Sequence, residues 1–376
     1  MVKNKKLLVL GGTSASLDVV RIAKDLGVYT IVTDDRPTGV SKDEADEAYM
    51  ISTTDMDGLL KLIKQRSIDG VFCGPSEFNI LNTMRLCKLA GLPFYFTPNQ
   101  WEICQNKASF KSLCKKYGVP CVPDYSVEGD VEKADLSQLE YPVIVKPVDS
   151  SGSRGITVCY SEYEVRKAYI HALSYSKSKR VIIEKYIENN GEGLSVWYIV
   201  CNGEASLSLT GDKYVIDPVH KTALTSAVTI YPSKYTEEYI ETIDANVRDM
   251  VMSIGLRNGV FFLQALIDNG KIYFHEMGLR LSGGLIYKIT EPTTRVNDVK
   301  MMIRYALGGP MCTSAEKAKI SPYLNGKCGG SLCFPLKAGT ISLIEGVEEI
   351  KNMEVVTDFI QYCQLGDEIT EDKVGR

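Results

Sequence analysis

The sequence predicts an α/β protein that opens with a doubly wound parallel sheet and continues into a larger domain of mixed strands and helices. Three observations support this fold class. Up to about residue 100, apolar segments of strand length alternate with amphipathic helical segments, as they do in parallel βαβ units. Asn-Gly pairs at 202–203 and 269–270 then separate strand-like segments, which indicates hairpins. From residue 311 onward the chain shows short strand segments and turns but no long helical pattern.

The first domain is expected to span residues 1–100. Its predicted strands are apolar and end in glycine, proline or aspartate, and its predicted helices are amphipathic. This alternation favours a parallel sheet with helices packed on it. The predicted strands cover 7–12, 29–35, 70–75 and 93–98, and the predicted helices cover 16–27, 56–67 and 79–91.

The second domain is expected to span residues 101–310, with a small lid subdomain at about 120–190. A helical pattern at 106–118 ends at a glycine that prolines follow, which is a typical helix end. The further predicted strands cover 141–147, 155–160 and 180–187, the helices cover 161–177 and 236–255, and the hairpins cover 194–215 and 259–280.

The charge balance excludes one class of partner. The chain carries 43 Lys and Arg against 47 Asp and Glu, a formal net charge of −4. No general positive field therefore draws it to nucleic acid or to an anionic membrane. The apolar run at 7–10 is too short for a signal peptide or a membrane span, and we expect a soluble, cytoplasmic protein.

The 11 cysteines are scattered along the chain and include no CxxC pair. In a chain of 376 residues, this scatter is typical of buried thiols in a reducing compartment. We therefore expect unpaired cysteines, with zinc binding or disulfides as the alternatives.

A glycine turn follows the first predicted strand. Gly11 and Gly12 precede a helix, and Asp34 and Asp35 follow the second strand, an arrangement found in dinucleotide sites. The third glycine of that motif is missing, and tight strand-to-helix turns use glycine for backbone reasons alone. A structural or substrate-facing turn is the favoured interpretation, and nucleotide binding at this turn is the alternative.

A lysine and a Ser/Gly-rich turn form a second motif. Lys146 lies in a predicted strand, and the turn 150–155 joins that strand to the next one. An ammonium charge beside many backbone N–H groups favours a polyphosphate. No GxxxxGK[ST] sequence is present, so this turn is not a Walker loop. Taken alone, the motif also fits an ordinary hairpin turn with a surface lysine.

A third group of polar residues lies in the hairpin 259–280. Glu276 stands in an apolar strand, where an unpaired carboxylate would be costly. Gln264 and Arg280 lie on the same two strands or just past them. Magnesium held by oxygen ligands, with Arg280 placed for a phosphate, is one solution, and a structural Glu–Arg pair is the alternative. His275 is expected on the strand face opposite to Glu276, because neighbouring side chains in a strand alternate.

Glu184 and Lys185 end the predicted strand 180–187. The backbone that follows them could present hydrogen-bonding groups to a flat heterocycle. A solvated charge pair is the alternative interpretation of these two residues.

Together, these motifs resemble the ATP-grasp superfamily, most closely its carbamoyl-phosphate-synthetase-like and biotin-carboxylase-like branch. The segments that carry the resemblance stand in the family's order: NKASFKSLCKKYGVPCVP, YPVIVKPVDSSGSRGI, VIIEKYI and the hairpin ending HEMGLR. The resemblance implies a Rossmann-like N-terminal domain, a central ATP-grasp domain and a short β-rich C-terminal domain at 311–376. That last domain is expected to be incomplete, because the family continues with another strand and helix.

The resemblance also implies roles for individual residues, each read onto the matching position of this chain. Arg280, Lys146 and Glu276 would be the catalytic residues, and Glu276 and Gln264 would hold magnesium. Ser151–Gly155 would be the flap over the phosphates, and the residues from Glu184 to Ile187 would be the adenine hinge. The residues expected to bind ATP are Lys107, Lys146, Ser151, Gly152, Ser153, Gly155, Glu184, Lys185, Ile187, Glu192 and Leu266.

Three positions depart from the family pattern. Gln264 stands where a second carboxylate is usual, and Gly278 stands where a metal-binding asparagine is usual. Glu192, expected near the ribose, is followed at once by a glycine and is shifted by one residue. The expected metal site therefore has fewer oxygen ligands than is usual in the family. Both phosphate lysines, Glu276 and Arg280 match the family pattern.

The activity that the resemblance implies is ATP-dependent, ADP-forming ligation of a small carboxylate to an amine through an acylphosphate. ATP and Mg²⁺ are the implied cofactors, the partners are small molecules, and assembly as a homodimer is left open. Phosphotransfer or carbamoyl-phosphate-type chemistry, and a non-catalytic nucleotide-binding protein, are the alternatives. The resemblance places the acceptor between the N-terminal sheet and the central domain, which suggests Ser282, Gly283, Glu77 and Lys213 as substrate residues.

Overall fold

The N-terminal part of the chain is a four-stranded parallel sheet flanked by helices. A computed structural model describes residues 2–125, 127, 131–150, 154–188, 191–215, 226–334 and 336–370. The strands lie in the order β3-β2-β1-β4, and every pairing is parallel. The elements are β1 (Lys6–Leu10), α1 (Ser14–Asp25), β2 (Tyr29–Thr33), α2 (Val40–Glu44), β3 (Glu47–Tyr49), α3 (Met56–Arg66), β4 (Gly70–Cys73) and α4 (Glu77–Ala90).

Burial and capping explain these elements. Leu7 to Leu10 are fully buried in β1, as expected for a strand covered on both faces. Asp55 and Ser76 cap α3 and α4 by accepting hydrogen bonds from backbone N–H groups of the first turn. Helix α4 ends at Gly91, whose φ of +67° suits glycine. Helix α4 therefore starts beside the end of β4, at the edge of the sheet where functional groups collect.

The strand predicted at 93–98 is wrong. Residues 93–97 form an irregular segment that leads into α5 (Pro98–Gln105) and α6 (Lys107–Tyr117). The Phe96 ring stacks on Trp101 with centroids 5.1 Å apart, and the Tyr95 hydroxyl donates to the Leu279 carbonyl at 3.2 Å. The aromatic side chains thus join the N-terminal sheet to the next domain instead of pairing as a strand.

The next segment forms a separate four-stranded sheet with its own core. Its strands lie in the order β5-β8-β6-β7, and one helix covers it. Val143, Val145 and Ile183 belong to the core between this sheet and its helix. The elements are β5 (Asp124–Tyr125), β6 (Val143–Pro147), β7 (Thr157–Cys159), α7 (Glu162–Tyr175) and β8 (Val181–Lys185).

A six-stranded antiparallel sheet forms the rest of the central domain. Its order is β13-β12-β9-β10-β11-β14. One face packs on helices in the main core. The other face packs partly on Ile286 in a smaller core and turns its remaining residues across a cleft toward β6 and β8. The elements are β9 (Glu192–Cys201), β10 (Glu204–Val215), β11 (Ser226–Tyr231), α8 (Thr236–Thr242), α9 (Asp244–Ser253), β12 (Gly259–Asp268), β13 (Lys271–Gly278), α10 (Tyr287–Thr294) and α11 (Asp298–Ala306).

The last elements extend the central sheet and end in an exposed segment. β14 pairs with β11, so the central sheet continues beyond residue 310. The elements are α12 (Ser314–Lys317), a 3₁₀ turn (Leu324–Gly326), β14 (Gly329–Leu332), β15 (Gly339–Thr340), α13 (Val347–Lys351) and β16 (Glu368–Ile369). Within the described ranges, no helix is both long and apolar enough to cross a lipid bilayer.

One expectation about the cysteines is wrong. Cys201, at the end of β9, forms a disulfide with Cys312, which follows α11, and their Cα atoms are 6.2 Å apart. Both residues are buried. The cysteines at the other described positions are free thiols.

Candidate active site

The cleft lies between two surfaces that we name by their residues. The hinge wall comprises Lys107 and Lys111 of α6, Lys146 of β6 and Glu184 of β8. The sheet wall comprises Ser195 of β9, Lys213 of β10, Gln264 and Leu266 of β12, and His275 and Glu276 of β13. Lys107, Lys111, Lys146 and Lys213 are called the four cleft lysines.

The hinge wall begins at the N-terminus of α6. The Asn106 side chain caps this helix by accepting from the N–H groups of Ala108 and Ser109, both at 3.1 Å. Lys107 is therefore the first helical residue, and its Nζ donates to the Ser150 carbonyl at 3.0 Å. Burial, and then the charge of Lys146, lower the pKa of Lys107.

Glu184 ties the hinge wall together. Strand register places Lys146 and Glu184 on the same face of the small sheet, since Lys146 pairs with Ile182 and Ile144 with Glu184. The Glu184 carboxylate lies 2.5 Å from Lys146 Nζ and 2.8 Å from Lys111 Nζ.

All three side chains of this cluster are at least nine-tenths buried. A carboxylate between two buried ammonium groups is held in place because none of the three charges is well solvated. The alternative of a solvated charge pair is therefore wrong for Glu184.

The backbone N–H groups that follow β8 differ in their hydrogen bonding. The Lys185 N–H donates to the Pro123 carbonyl at 2.9 Å, and the Tyr186 N–H donates to the Pro142 carbonyl at 3.0 Å. Within the described residues, the N–H of Ile187 makes no hydrogen bond, although Ile187 is buried. A buried amide of this kind suits a ring nitrogen of a flat heterocycle.

The sheet wall is defined by strand register. Gln264 pairs with Glu276, and Leu266 pairs with Tyr273, so these side chains share the cleft face. Leu263 and Ala265 alternate with them and are buried in the main core. The predicted metal pair therefore stands side by side on neighbouring strands.

His275 is placed by a β-bulge, and its expected orientation is wrong. Gln264 pairs with Glu276 while Ala265 pairs with Phe274, so His275 is an additional residue between the two pairs. Phe274 is fully buried in the core. Because neighbouring side chains in a strand alternate, His275 points to the cleft. The bulge then interrupts the alternation, so that Glu276 also lies on the cleft face.

The charges that act on His275 agree with an orientation toward the cleft. Burial, and then the ammonium charges of the four cleft lysines, hold the pKa of its imidazole well below the ordinary value. Such an effect requires His275 to lie near residues of both walls. In the described part of the chain, its ring nitrogens make no hydrogen bond.

Two further polar residues extend the sheet wall. Ser195 pairs with Gln264, and its buried hydroxyl has no hydrogen-bond partner among the described residues. Lys213 pairs with Gly193, which has no side chain to cover it. Burial lowers the pKa of Lys213 to about 8, and the Glu276 carboxylate opposes this shift. Lys213 therefore lies near the predicted metal pair.

Arg280 closes one end of the cleft. Its guanidinium donates to Glu77 Oε1 at 3.2 Å and lies over the Phe262 ring, 5.1 Å from the centroid. The alternative of a structural Glu276–Arg280 pair is therefore not what the structure shows, because the partner of Arg280 is Glu77. Arg280 Nε and the nearby Ser282 Oγ are buried without a partner in the described ranges.

The remaining predicted residues are less informative. Gly155 has a φ of +74°, and a Cβ there would lie 2.9 Å from the Tyr175 side chain, so this turn needs glycine. Glu192 lies 3.4 Å from Lys234, and Gly283 is exposed. Ser151, Gly152 and Ser153 lie outside the described residues.

The glycine turn after β1 is engaged internally. Asp34 accepts from the Gly12 N–H at 2.8 Å and forms an ion pair with Arg36 at 2.9 Å. The Arg36 guanidinium holds the pKa of this carboxyl well below its usual range. The groups that a dinucleotide would need are thus bonded to each other, which favours the structural interpretation of this turn.

Sequence reasoning missed Lys111, Ser195 and His275. Lys111 lies four residues after Lys107, a spacing that places both on one face of a helix, so it had a local signal. Ser195 and His275 acquire their positions only when strands pair, and nothing in their immediate sequence marks them.

The comparisons with known proteins agree with this geometry. Residues 106–313, more than half of the chain, match the family described as carbamoyl-phosphate synthase L chain, ATP binding domain. The chain belongs to this ATP-grasp family. It is therefore an ATP-binding enzyme of the ligase type, and the predicted fold class is confirmed.

One sequence relative and two solved structures show what this chain is similar to. The chain is 26% identical over 317 residues to a formate-dependent phosphoribosylglycinamide formyltransferase of Sulfurisphaera tokodaii, covering 81% of this chain and 77% of that protein. The structure of an L-amino acid ligase from Bacillus licheniformis superposes with a TM-score of 0.78 at 21% identity, covering 98% and 90% of the two chains.

The third relative is the biotin carboxylase domain of Hydrogenobacter thermophilus 2-oxoglutarate carboxylase, a dimer solved with MgADP and bicarbonate. It superposes with a TM-score of 0.71 at 27% identity, covering 82% of this chain and 71% of that one.

Proposed function

We propose that this chain joins a small carboxylate to an amine, forming ADP and phosphate through an acylphosphate. The observation that carries the proposal is the charge arrangement of the cleft. The Glu276 carboxylate acts on both Lys107 and Lys213, and Lys146 also acts on Lys107. Arg280 pairs with Glu77, whose charge also acts on Lys107. This arrangement suits a polyphosphate on one side and a transferred phosphoryl group on the other. The amino acid and formate chemistry named for the relatives supports the same reaction class.

In the first step, a carboxylate oxygen of the acid attacks the γ-phosphorus of ATP. An O–P bond forms, the bond to the β-phosphate oxygen breaks, and ADP leaves. In the second step, an amine nitrogen attacks the carbonyl carbon, a C–N bond forms, inorganic phosphate leaves and the nitrogen loses a proton. The lysines stabilise the negative charge that develops on phosphate oxygens, and no protein nucleophile is required.

Within this proposal, the nucleotide lies between the two walls. The backbone N–H of Ile187 meets a ring nitrogen of adenine, and Leu266 packs against the ring. Lys107 and Lys146 contact phosphates, with Lys146 exchanging part of its pairing with Glu184 for a phosphate oxygen. Arg280, with Ser282 and Gly283, holds the acid, and Glu77 holds Arg280 in position and faces the amine.

The residues of the sheet wall fit one magnesium ion. Glu276 and Gln264 present a carboxylate and an amide oxygen side by side, and oxygen donors are the ligands that Mg²⁺ prefers. Neither side chain is hydrogen bonded within the described residues, and no group of three or more His, Cys, Asp or Glu side chains there offers another site. The ion would neutralise charge on the phosphates, and two protein ligands leave room for phosphate oxygens and water.

A release assay tests the proposal. We expect wild-type protein with ATP, Mg²⁺ and a panel of amino acids and other small carboxylates and amines to release ADP and phosphate in equal amounts. Mass spectrometry should find a condensed product. A stable phosphorylated acid would instead favour phosphotransfer, and an absence of nucleotide binding in calorimetry would contradict the proposal.

A homodimer, as in the Hydrogenobacter domain, stays a prediction for this chain. Light scattering of the purified protein would decide it. A monomeric mass with full ligase activity would show that one copy of the cleft is sufficient.

A further inference from the structure

The bulge in β13 brings a histidine into the cleft that the proposed chemistry does not use. Cross-strand pairing fixes Leu266 beside Tyr273 and Gln264 beside Glu276. His275 is the additional residue that lies between these two pairs. Bulges near active sites commonly re-aim a side chain in this way.

The position of His275 along the cleft follows from its neighbours. In the proposed function, the base packs near Leu266 and the phosphates extend toward Glu276. A nucleotide that spans these two residues must pass His275, because the imidazole stands between their register positions. Lys146, the phosphate lysine of the hinge wall, is one of the charged groups acting on it.

The imidazole is also a free hydrogen-bonding group. Its ring nitrogens make no hydrogen bond in the described part of the chain, although the side chain is partly buried. A polar group withdrawn from bulk water without a partner carries a desolvation cost that a ligand can relieve. In the same wall, the buried Ser195 hydroxyl also has no hydrogen-bond partner among the described residues.

We propose that His275 is a nucleotide-contacting residue whose imidazole hydrogen-bonds the bound nucleotide at the ribose, between the base and the α-phosphate. The proposal rests on the proposed function, since it requires the cleft to bind ATP. The proposed contact depends on the bulge, because regular strand alternation would not place both His275 and Glu276 on the cleft face. The hydrogen bond orients the α-phosphate toward Lys146 and the remaining phosphates toward Glu276.

A histidine-resolved nuclear magnetic resonance experiment tests the contact directly. The chain contains three histidines, at positions 171, 220 and 275, so single Gln substitutions assign all ring signals of ring-labelled protein. With saturating unlabelled ADP and no added metal, we expect nuclear Overhauser contacts between the His275 ring protons and the H8 or H1′ proton of ADP. Bound ADP with no such contact would overturn the proposal.

Affinity measurements separate hydrogen bonding from shape. We expect His275→Leu to weaken ADP binding about five- to tenfold, the loss of about one hydrogen bond. His275→Gln, which keeps a donor and an acceptor, should bind ADP within about threefold of wild type. His171→Leu is the matched control, because His171 is exposed on α7, and it should leave ADP affinity unchanged.

The outcomes distinguish the two proposals. If His275→Leu folds with the wild-type melting temperature and binds ADP as tightly as wild type, the contact is wrong while the ligase proposal stands. If wild-type protein binds ADP but forms no condensed product with any acid and amine, the ligase proposal fails while the contact can still be observed. If wild-type protein does not bind ADP, both are wrong.

Discussion

The two walls of the cleft bury charge in different ways. In the hinge wall, charged groups satisfy one another: Glu184 bonds two buried lysines, and Lys107 donates to a backbone carbonyl. In the sheet wall, Glu276 and Lys213 make no hydrogen bond or ion pair within the described residues. The hinge wall is therefore complete before ligand arrives, whereas the sheet wall is arranged for partners that come with the substrates.

This difference separates stability from catalysis. Groups already paired in the folded protein help to hold the four-stranded sheet of β5 to β8 on α6. Losing one of them leaves its partners buried and unpaired. Groups that are unpaired in the folded protein contribute little to stability, and their interactions appear when phosphates are present. Substitutions in the two walls should accordingly change different measurements.

The largest expected effect on stability is at Glu184. Glu184→Ala leaves Lys111 and Lys146 buried without their carboxylate, and we expect it to lower the free energy of unfolding by about 3–5 kcal/mol. Urea denaturation followed by circular dichroism measures this change. Glu276→Ala is the matched control in the sheet wall and should shift the unfolding free energy by less than about 1 kcal/mol. Equal losses in the two variants would remove the distinction between the walls.

The largest effect on turnover is expected at Glu276. Glu276→Gln keeps the shape of the side chain but removes the charge that the proposed metal site needs, and we expect the rate of ADP release to fall by about 10²–10³-fold. ADP affinity without added metal should stay within about twofold of wild type, because Glu276 is proposed to reach the phosphates only through the metal. A turnover within tenfold of wild type would place the catalytic charge elsewhere.

Lys213 makes the sheet wall sensitive to pH. Its pKa of about 8 means that its ammonium is charged below pH 8 and loses its proton as the pH rises further. We therefore expect ADP affinity to decline above pH 8, by about fivefold for one lost phosphate contact. Lys213→Arg keeps its charge throughout and should flatten this part of the pH profile.

Calorimetric titrations between pH 6.5 and 9.5 compare the two proteins. The comparison between them isolates Lys213 from Lys107, whose pKa burial also lowers. Identical pH profiles for wild type and Lys213→Arg would mean that Lys213 does not contact the phosphates.

A larger share of the hinge wall than of the sheet wall was predicted from the sequence. Lys107, Lys146 and Glu276 stand in linear motifs, and the family resemblance was enough to bring them together. Gln264 and Glu276 share one face only because of the bulge between them, since regular alternation from the hairpin turn would pair Gln264 with His275. In the hinge wall, Lys111 is the one residue that was not predicted, although its four-residue spacing from Lys107 indicates a shared helix face.

What the sequence did not predict depends on pairing between distant segments. The bulge at His275 follows from how two strands align, and neither strand alone carries a mark of it. The segment 93–98 has the aromatic composition of a strand, yet tertiary packing of Tyr95 and Phe96 overrides that preference. The disulfide between Cys201 and Cys312 joins residues 111 positions apart, and scattered cysteines give no hint of such a pair.

The smallest expected effect is at the contact between the domains, where Glu77 of α4 meets Arg280. This pair is intermediate between the two walls: it is formed in the folded protein, yet it is partly exposed, with side-chain exposures of 34% and 15%. A partly exposed ion pair contributes little, so Glu77→Gln should lower the unfolding free energy by about 0.5–1 kcal/mol at most.

The same variant separates positioning from chemistry. If Glu77 orients Arg280 and faces the amine, Glu77→Gln should raise the KM for the amine several-fold while kcat changes by less than about threefold. Arg280→Lys keeps the charge but loses the planar fork, and it should lower kcat instead. A Glu77→Gln variant that lowers kcat as strongly as Arg280→Lys would move Glu77 from the substrate contact into the chemical step, because only groups that act in the transition state reduce kcat without weakening substrate binding.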